Sequence, residues 1–285
     1  MEIIIGKTAG FCFGVANAVN KTQELLKEKK YMYCLGELVH NKQVTEELKE
    51  KGLNIINNVE EAKQNVIIRA HGEPQETYDL ANKLNINIFD LTCPKVLKIH
   101  NIAKEYSNKG FYILLVGAKN HPEIIGTISY CGKNATIIEK KEDTKEKMQE
   151  FYNSNIKKLL VIAQTTYSMK DFSDISDEIK KSIQGRNITL EIKNTICNAT
   201  KLRQEETKEL ARKVECMIIV GGKNSSNTNK LFNIAKTYCK NSLLVETREE
   251  INVNDIKKLN KIGIMAGAST PKKSIDAIVE LLQSI

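Results

Sequence analysis

A chain of 285 residues exceeds one ordinary single core and suits two or three smaller domains. Hydrophobic residues at 41% and charged residues at 27% exclude a disordered chain, and the longest apolar runs, such as Leu159-Leu160-Val161-Ile162-Ala163, are far too short to span a membrane. A formal charge of +8 admits a phosphorylated metabolite, an acidic protein or nucleic acid as partner; nucleic acid is the weakest of these, because no basic stripe is interleaved with aromatics and tryptophan is absent.

The N-terminus has no basic region followed by a long apolar stretch and a small-residue cleavage site, so no secretory signal is expected and the protein is placed in the cytoplasm. Seven cysteines in that setting predict reduced thiols, and the lack of any Cys-x-x-Cys pair removes the usual structural-zinc and thioredoxin readings.

One unit recurs along the chain: a short apolar strand, a polar loop carrying Gly, His, Ser, Thr or Asn, and an amphipathic helix. A strand at 3–5 leads to Gly10-Phe11-Cys12-Phe13-Gly14 and a helix over 15–29. The strand at 31–35 leads to Leu38-Val39-His40-Asn41 and a helix through Leu48, closed by Gly52. A strand at 66–68 runs into Arg69-Ala70-His71-Gly72-Glu73-Pro74 and a helix over 78–84; the next, at 86–91, delivers Cys93 and a helix from Pro94 to about 107.

The pattern restarts at 111–116 with Gly117-Ala118-Lys119-Asn120-His121-Pro122-Glu123 and a helical segment to 130, then a strand at 135–138 and a charged helix over 140–152. The strand at 159–163 precedes Gln164-Thr165-Thr166-Tyr167-Ser168 and a helix ending near 185, and 188–192 leads to Cys197. In the last block, 217–220 precedes Gly221-Gly222-Lys223-Asn224-Ser225-Ser226-Asn227-Thr228, and 262–264 precedes Ala266-Gly267-Ala268-Ser269-Thr270-Pro271. Such alternation predicts an α/β fold with mainly parallel sheets in three α/β domains, 1–93, 94–193 and 194–285. Ligands in open α/β sheets bind beyond the carboxyl ends of the strands, where these loops lie.

Cys12, Cys93 and Cys197 each sit where a strand gives way to a helix. Unpaired N–H groups and the positive end of the helix dipole favour the thiolate there, and thiolate is the metal-binding form. One thiol from each block predicts a single shared metal centre. Cys34, Cys131, Cys216 and Cys239 have no such setting and read as small buried hydrophobes.

Three of the four histidines, His40, His71 and His121, occupy strand-to-helix loops, whereas His100 lies within a helix and reads as structural. Loop histidines can carry charge beside an anion or move protons. The two Gly-rich loops at 221–228 and 266–271 let backbone approach a phosphate, with Ser and Asn as donors; taken singly, each is equally an N-cap. Together with the histidines they predict a phosphate or diphosphate pocket, and with no Walker sequence in either loop ATP hydrolysis is not predicted. Glu123, in a loop otherwise poor in carboxylates, becomes a general acid if its pocket excludes water, with His121 two residues away as a relay.

Gly10-Phe11-Cys12-Phe13-Gly14-Val15, Val39-His40-Asn41, Ala70-His71-Gly72, Thr92-Cys93-Pro94, His121-Pro122-Glu123, Gln164-Thr165-Thr166, Thr195-Ile196-Cys197-Asn198-Ala199-Thr200, Lys223-Asn224-Ser225-Ser226-Asn227 and Ala266-Gly267-Ala268-Ser269 together resemble the 4-hydroxy-3-methylbut-2-enyl diphosphate reductase family, in order and over nearly the whole chain. The resemblance implies three α/β domains in a pseudo-threefold trefoil around a central iron-sulfur cluster. It also implies reductive removal of a hydroxyl group from an allylic diphosphate, the last step of the non-mevalonate isoprenoid pathway. Cys12, Cys93 and Cys197 would hold a 4Fe-4S cluster with one iron not ligated by cysteine. Glu123 would supply a proton with His121 in the relay. Thr165 would orient the acid and the hydroxyl group, with Thr166 not separable from it. His40, His71, His121, Ser225, Ser226, Asn227 and Ser269 would bind the diphosphate. Ferredoxin or flavodoxin would donate electrons, a monomer is favoured, and no appended RNA-binding domain is expected. Met265 stands where the resemblance leads one to expect a small polar residue at the pocket edge.

Two other readings compete. A non-redox cluster enzyme such as quinolinate synthase acts on carboxylates and needs several arginines, but only Arg69 lies in a site loop. An iron-sulfur sensor that binds an anion without turnover would have no use for Glu123 as an acid.

Overall fold

The structure is a computed structural model and describes residues 1–29 and 31–285. In chain order the elements are β1 (Glu2–Ile5), α1 (Phe13–Glu28), β2 (Met32–Leu35), α2 (Lys42–Glu50), β3 (Leu53–Ile56), β4 (Asn65–Ile68), α3 (Gln75–Lys83), β5 (Asn87–Asp90) and α4 (Pro94–Asn108). There follow β6 (Tyr112–Val116), α5 (Pro122–Ser129), β7 (Ala135–Ile138), α6 (Thr144–Asn153), β8 (Lys158–Ala163), α7 (Met169–Ile183) and β9 (Thr189–Ile192). The last block holds α8 (Asn198–Ala211), β10 (Cys216–Val220), α9 (Ser226–Tyr238), β11 (Ser242–Val245), α10 (Val253–Ile256), β12 (Lys261–Ala266) and α11 (Lys272–Gln283).

Among the described residues all strand pairings are parallel and form three four-stranded sheets, in the orders β3-β2-β4-β5, β7-β6-β8-β9 and β11-β10-β12-β1. The three orders are one pattern used three times. Its third instance is completed by the first strand of the chain, because β10, β11 and β12 leave the outer edge of β12 open and β1 fills it from Glu2↔Lys261 to Ile5↔Ile264. The boundary expected at residue 93 therefore fails for residues 2–5, which belong with the sheet of block 194–285.

The chain divides into two compact units. The first comprises Met1–Val19, Val39–Lys51 and Asn198–Ile285 and holds the β11-β10-β12-β1 sheet. The second comprises Asn20–Leu38 and Gly52–Cys197 and holds the other two sheets.

Central strands of both units are covered on both faces, which is why they read as continuous apolar runs and not as alternating ones. In the second unit Leu114, Val116, Val161 and Ala163 pack with Phe172, Ile175 and Ile179 of α7, while Ile113, Leu115, Leu160 and Ile162 pack with Ile99 and Ala103 of α4 and Ile124 of α5. In the first unit Ile218, Val220, Ile262 and Ile264 face Ile275 and Ile278 of α11, and Met217, Ile219 and Met265 face Leu210 of α8 and Leu231 of α9. Truncating a fully buried Ile113 or Leu160 to alanine costs about 2–5 kcal/mol through lost transfer energy and a residual cavity. Met265 is thus a core residue and not a pocket edge: a Cβ on Gly6 would lie 2.0 Å from its sulfur, so the glycine makes the room it occupies.

Three differences from the sequence-based boundaries bear on the site. Helix α1 begins at Phe13, immediately after Cys12; α3 begins at Gln75, directly after Pro74; and the charged segment at 140–152 opens as a separate 3-10 turn, Lys141–Asp143, before α6. Among the described residues no helix is long and apolar enough to cross a membrane.

Candidate active site

The pattern of strands sorts the predicted residues. His40 follows β2, His71 β4, His121 and Glu123 β6, Thr165 and Thr166 β8, Ser225 to Asn227 β10, and Ser269 β12. These six are the two central strands of each sheet. The fourth strand in each sheet, β1, β5 or β9, leads to Cys12, Cys93 or Cys197.

Each of these cysteines is held the same way. The backbone N–H of Cys12 donates to Ala268 O at 3.1 Å, that of Cys93 to Ala70 O at 3.0 Å, and that of Cys197 to Thr165 O at 2.9 Å, so each is tied to the loop after the neighbouring strand. Cys93 is the N-cap of α4, Cys12 immediately precedes α1, and Cys197 immediately precedes α8. No acidic side chain lies in the first turn of any of the three helices, although carboxylates are favoured there. All three thiols are partly exposed, whereas Cys34, Cys131, Cys216 and Cys239 are buried. Burial pushes the thiols of Cys34 and Cys131 up to about 12 and that of Cys216 to about 11. These three are poor metal ligands.

In the second unit, Pro122 opens α5 with the fixed φ that suits a first helical position, and His121 caps it, its Nδ1 accepting the Glu123 N–H at 3.1 Å. That places Glu123 in the first turn, aimed at the loop after β8. Glu123 is 2% exposed; its Oε1 accepts the Thr165 N–H and its Oε2 the Thr165 hydroxyl, both at 2.6 Å. Burial drives its pKa up from 4.5 to about 7, with both Thr165 bonds opposing the rise. Thr165 in turn accepts the Cys197 N–H on its carbonyl, so one residue joins the acid to a candidate ligand.

Thr166 is separated from Thr165 by geometry: its hydroxyl accepts from Gln164 Nε2 at 2.8 Å, and Gln164 Oε1 accepts the Ala118 N–H at 3.1 Å. His71 meets His121 edge to face, with ring centres 5.4 Å apart. His100 is buried, stacked on Tyr130 at 4.3 Å, and held neutral by burial, its pKa lowered to about 4. The left-handed Gly72, φ 75°, lies over it, and a Cβ there would come within 2.7 Å of His100 Cε1. Arg69 is occupied: its Nε and Nη2 both reach Glu73 Oε1 at 2.9 Å. That removes the one arginine a carboxylate-binding enzyme had in a site loop.

In the first unit, three loops meet around the His40 backbone. Ser269 Oγ donates to His40 O at 3.0 Å, and a Cβ on Gly222 would lie 2.7 Å from that same oxygen. Ser225 caps α9, its Oγ accepting the Thr228 N–H at 3.3 Å, and Ser226 is partly exposed. Asn227 is 3% exposed, yet neither its amide nitrogen nor its amide oxygen has a hydrogen-bond partner. A buried amide left this way costs roughly 1–3 kcal/mol, a cost that a bound polar ligand removes. Lys223 points elsewhere, to Glu250 at 2.6 Å.

Sequence reasoning passed over Arg203 and Glu206. Both lie on the lysine- and glutamate-rich helix α8, and no local feature sets them apart from its solvated charges; only burial of Arg203 at 4% exposure does so.

Residues 3–283 match the model of the LytB protein family. The chain is 40% identical to a 4-hydroxy-3-methylbut-2-enyl diphosphate reductase of Clostridioides difficile, with all of both chains covered. It is 38% identical to the enzyme of that name in Aquifex aeolicus, covering 100% of this chain and 97% of the relative. A solved structure of (E)-4-hydroxy-3-methyl-but-2-enyl diphosphate reductase, the terminal enzyme of the non-mevalonate pathway, matches over 100% of both chains with TM-score 0.72 and 38% identity. The Plasmodium falciparum E-1-hydroxy-2-methyl-but-2-enyl-4-diphosphate reductase matches with TM-score 0.90 and 29% identity, over 99% of this chain and 87% of that one. With its motifs, three like-ordered sheets and full-length matches in agreement, the chain belongs to the LytB protein family.

Proposed function

We infer that the protein reduces (E)-4-hydroxy-3-methylbut-2-enyl diphosphate to isopentenyl and dimethylallyl diphosphates, the last step of the non-mevalonate isoprenoid pathway. The carbon–oxygen bond of the allylic alcohol breaks, two electrons and two protons are taken up, and water leaves. The observation that carries this reading is the buried Glu123 carboxyl, bonded twice to Thr165, whose carbonyl holds the Cys197 amide.

Cys12, Cys93 and Cys197 fit an iron-sulfur group by the chemistry of the donor set: three accessible thiols at helix starts, each with its backbone fixed by one hydrogen bond. They would hold a 4Fe-4S cluster with one iron free of cysteine, which supplies electrons and a Lewis-acid site for the substrate oxygen. Everything else is work for side chains. Glu123, its pKa raised by burial to about 7, delivers a proton to the departing hydroxyl group. Thr165 holds that carboxyl in one orientation and offers its hydroxyl to the substrate oxygen. Since His121 Nδ1 is taken by the Glu123 amide, proton exchange through His121 runs over Nε2.

For the diphosphate we assign His40, His71, His121, Ser225, Ser226, Asn227 and Ser269, with Thr166 as a neighbour of Thr165. The unpartnered Asn227 amide is the support for the Ser225–Asn227 segment of this set. An acidic ferredoxin or flavodoxin serves as electron donor, in keeping with the net charge of +8, and the enzyme works as a cytoplasmic monomer.

The test is anaerobic turnover by cluster-reconstituted protein with a reduced viologen as donor. Dye oxidation together with five-carbon diphosphate products supports the assignment; a loaded cluster with the dye left reduced refutes it. Cys197→Ser should lower bound iron and sulfide, and full loading of that variant would remove Cys197 from the ligand set.

A further inference from the structure

Two of the loops that lead to site residues are held by a neighbouring helix, in different ways. Before Cys12 the grip is polar: on α8, Glu206 accepts the Lys7 and Thr8 amides at 2.6 and 2.9 Å, and Arg203 donates to Gly10 O at 2.7 Å. Around His71 it is mostly a matter of fit. Before the histidine, the Cys93 N–H holds Ala70 O; after it, Gly72 turns with φ 75° against the edge of His100, two helical turns into α4. A Cβ on Gly72 would lie 2.7 Å from His100 Cε1, 3.4 Å from its Nε2 and 3.2 Å from the Thr92 methyl. The His100 ring stacks on Tyr130, centres 4.3 Å apart and planes 15° from parallel, and the Tyr130 hydroxyl donates to Glu73 O at 3.3 Å. One stacked pair thus meets Gly72 and Glu73, the two residues directly after His71.

A core position of this kind ordinarily takes an aliphatic or phenyl side chain. His100, 3% exposed, is a costly choice there: among the described residues its Nε2 has no hydrogen-bond partner, and burial holds the ring uncharged. What the imidazole offers is shape. It is flat enough to stack on Tyr130 and shorter than a phenyl ring, whose far edge would enter the space Gly72 fills; an aliphatic side chain would not stack. A small misplacement of the loop passes to His71, whose ring meets that of His121 edge to face at 5.4 Å.

Resting on the assignment of His71 to the diphosphate, we propose that His100 is a positioning residue for His71: stacked on Tyr130, its ring is the stop against which Gly72 turns the loop, and its size sets where His71 meets His121 and the substrate. A larger or a smaller side chain then weakens substrate binding through His71 alone.

The experiment is a double-mutant cycle on cluster-reconstituted holoprotein, with turnover of the allylic diphosphate by reduced viologen as readout and iron and sulfide measured throughout. It compares wild type, His100→Phe, His100→Asn, His71→Ala and each His100 variant combined with His71→Ala. His100→Phe and His100→Asn should each raise KM about tenfold, with kcat within about twofold of wild type and iron fully loaded. On the His71→Ala background the same substitutions should change KM by less than about twofold, because the residue they act through is gone. A wild-type KM in both loaded His100 variants, or an equal loss on both backgrounds, overturns the proposal. If one His100 variant fails to load iron the other carries the cycle, and loss of iron in both overturns it, since His100 would then serve the core at large. Wild type without turnover would refute the reductase reading before any variant is compared, and would remove the His71 role on which this proposal rests.

Discussion

Glu73 and Glu123 are two carboxylates in the same unit, each within a strand-to-helix loop or the first turn after it, and each less than 8% exposed. Burial raises the pKa of both. They differ in what meets them. Glu73 faces the Arg69 guanidinium through two nitrogens, which opposes the rise and makes the pair an internal brace. The Glu73 segment is gripped further by Tyr130, whose hydroxyl donates to Glu73 O at 3.3 Å, and by Gly126, which lets α5 come close to its backbone. Glu123 is met by a hydroxyl and an amide of one threonine, which orient it but bring no countercharge, and its pKa reaches about 7. Burial therefore does not by itself mark an acid; the chemistry of the partner decides whether a buried carboxyl is a brace or a proton donor.

Isosteric removal of each acid should separate the two roles. Glu123→Gln keeps shape and cluster but loses turnover by roughly 10²–10⁴-fold, the range of a lost general acid; near-normal turnover in the viologen assay would end the assignment. Glu73→Gln should do the reverse. It leaves the partly buried Arg69 guanidinium without its charged partner and costs on the order of 1–3 kcal/mol of stability in denaturant unfolding, while turnover per folded molecule stays close to wild type.

The contrast also has a pH signature. Because the folded-state pKa of Glu123 is raised, its contribution to stability is complete below the ordinary carboxyl value of 4.5 and is lost as pH rises through about 7. Against Glu123→Gln, wild type should thus lose roughly 3 kcal/mol between pH 4 and 9, seen as a fall of the wild-type melting temperature relative to that of the variant. His100 has a lowered pKa and contributes the opposite slope as pH falls from 6.5 toward 4, but it is common to both proteins and cancels in the difference. The smallest effect belongs to the threonines. Thr165→Val removes a bond that holds the Glu123 pKa down, so the alkaline limb of the rate profile moves to higher pH and kcat falls by about tenfold through lost orientation. Thr166→Val should leave that limb in place.

The sequence made legible those parts of the fold that feed the site. Every strand that ends in a predicted site loop was recognisable as an apolar run with a polar exit, and the three cysteines stood out by their helix-start setting. The strands missed were β3 and β11, Leu53-Asn54-Ile55-Ile56 and Ser242-Leu243-Leu244-Val245, which are outermost in their sheets and lead to no site residue. A signal for them existed. After each outer strand comes a 3-10 turn, Val59–Glu61, Lys141–Asp143 or Arg248–Glu250, whose last acid accepts backbone amides of the residues just before it. The recurring acidic pair in Val-Glu-Glu, Lys-Glu-Asp and Arg-Glu-Glu marks the internal repeat. The pairing of β1 with β12 was not legible, because register between strands at opposite ends of a chain is set by an open sheet edge and not by local pattern. Nor could Thr165 and Thr166 be told apart, since adjacent residues of one type differ only in which way the loop turns them.

The central claim, that Glu123 is a proton donor poised near neutrality, is tested most directly by infrared titration of its carboxyl. Wild-type and Glu123→Gln holoprotein would be compared across pH, and the difference between them read for a protonated carboxylic acid. The account predicts a single carbonyl band that is lost with a midpoint near 7, in line with the raised pKa. A band already gone by pH 5, with the carboxylate signal in its place, would mean that Glu123 is an ordinary ionised side chain and cannot deliver the proton assigned to it.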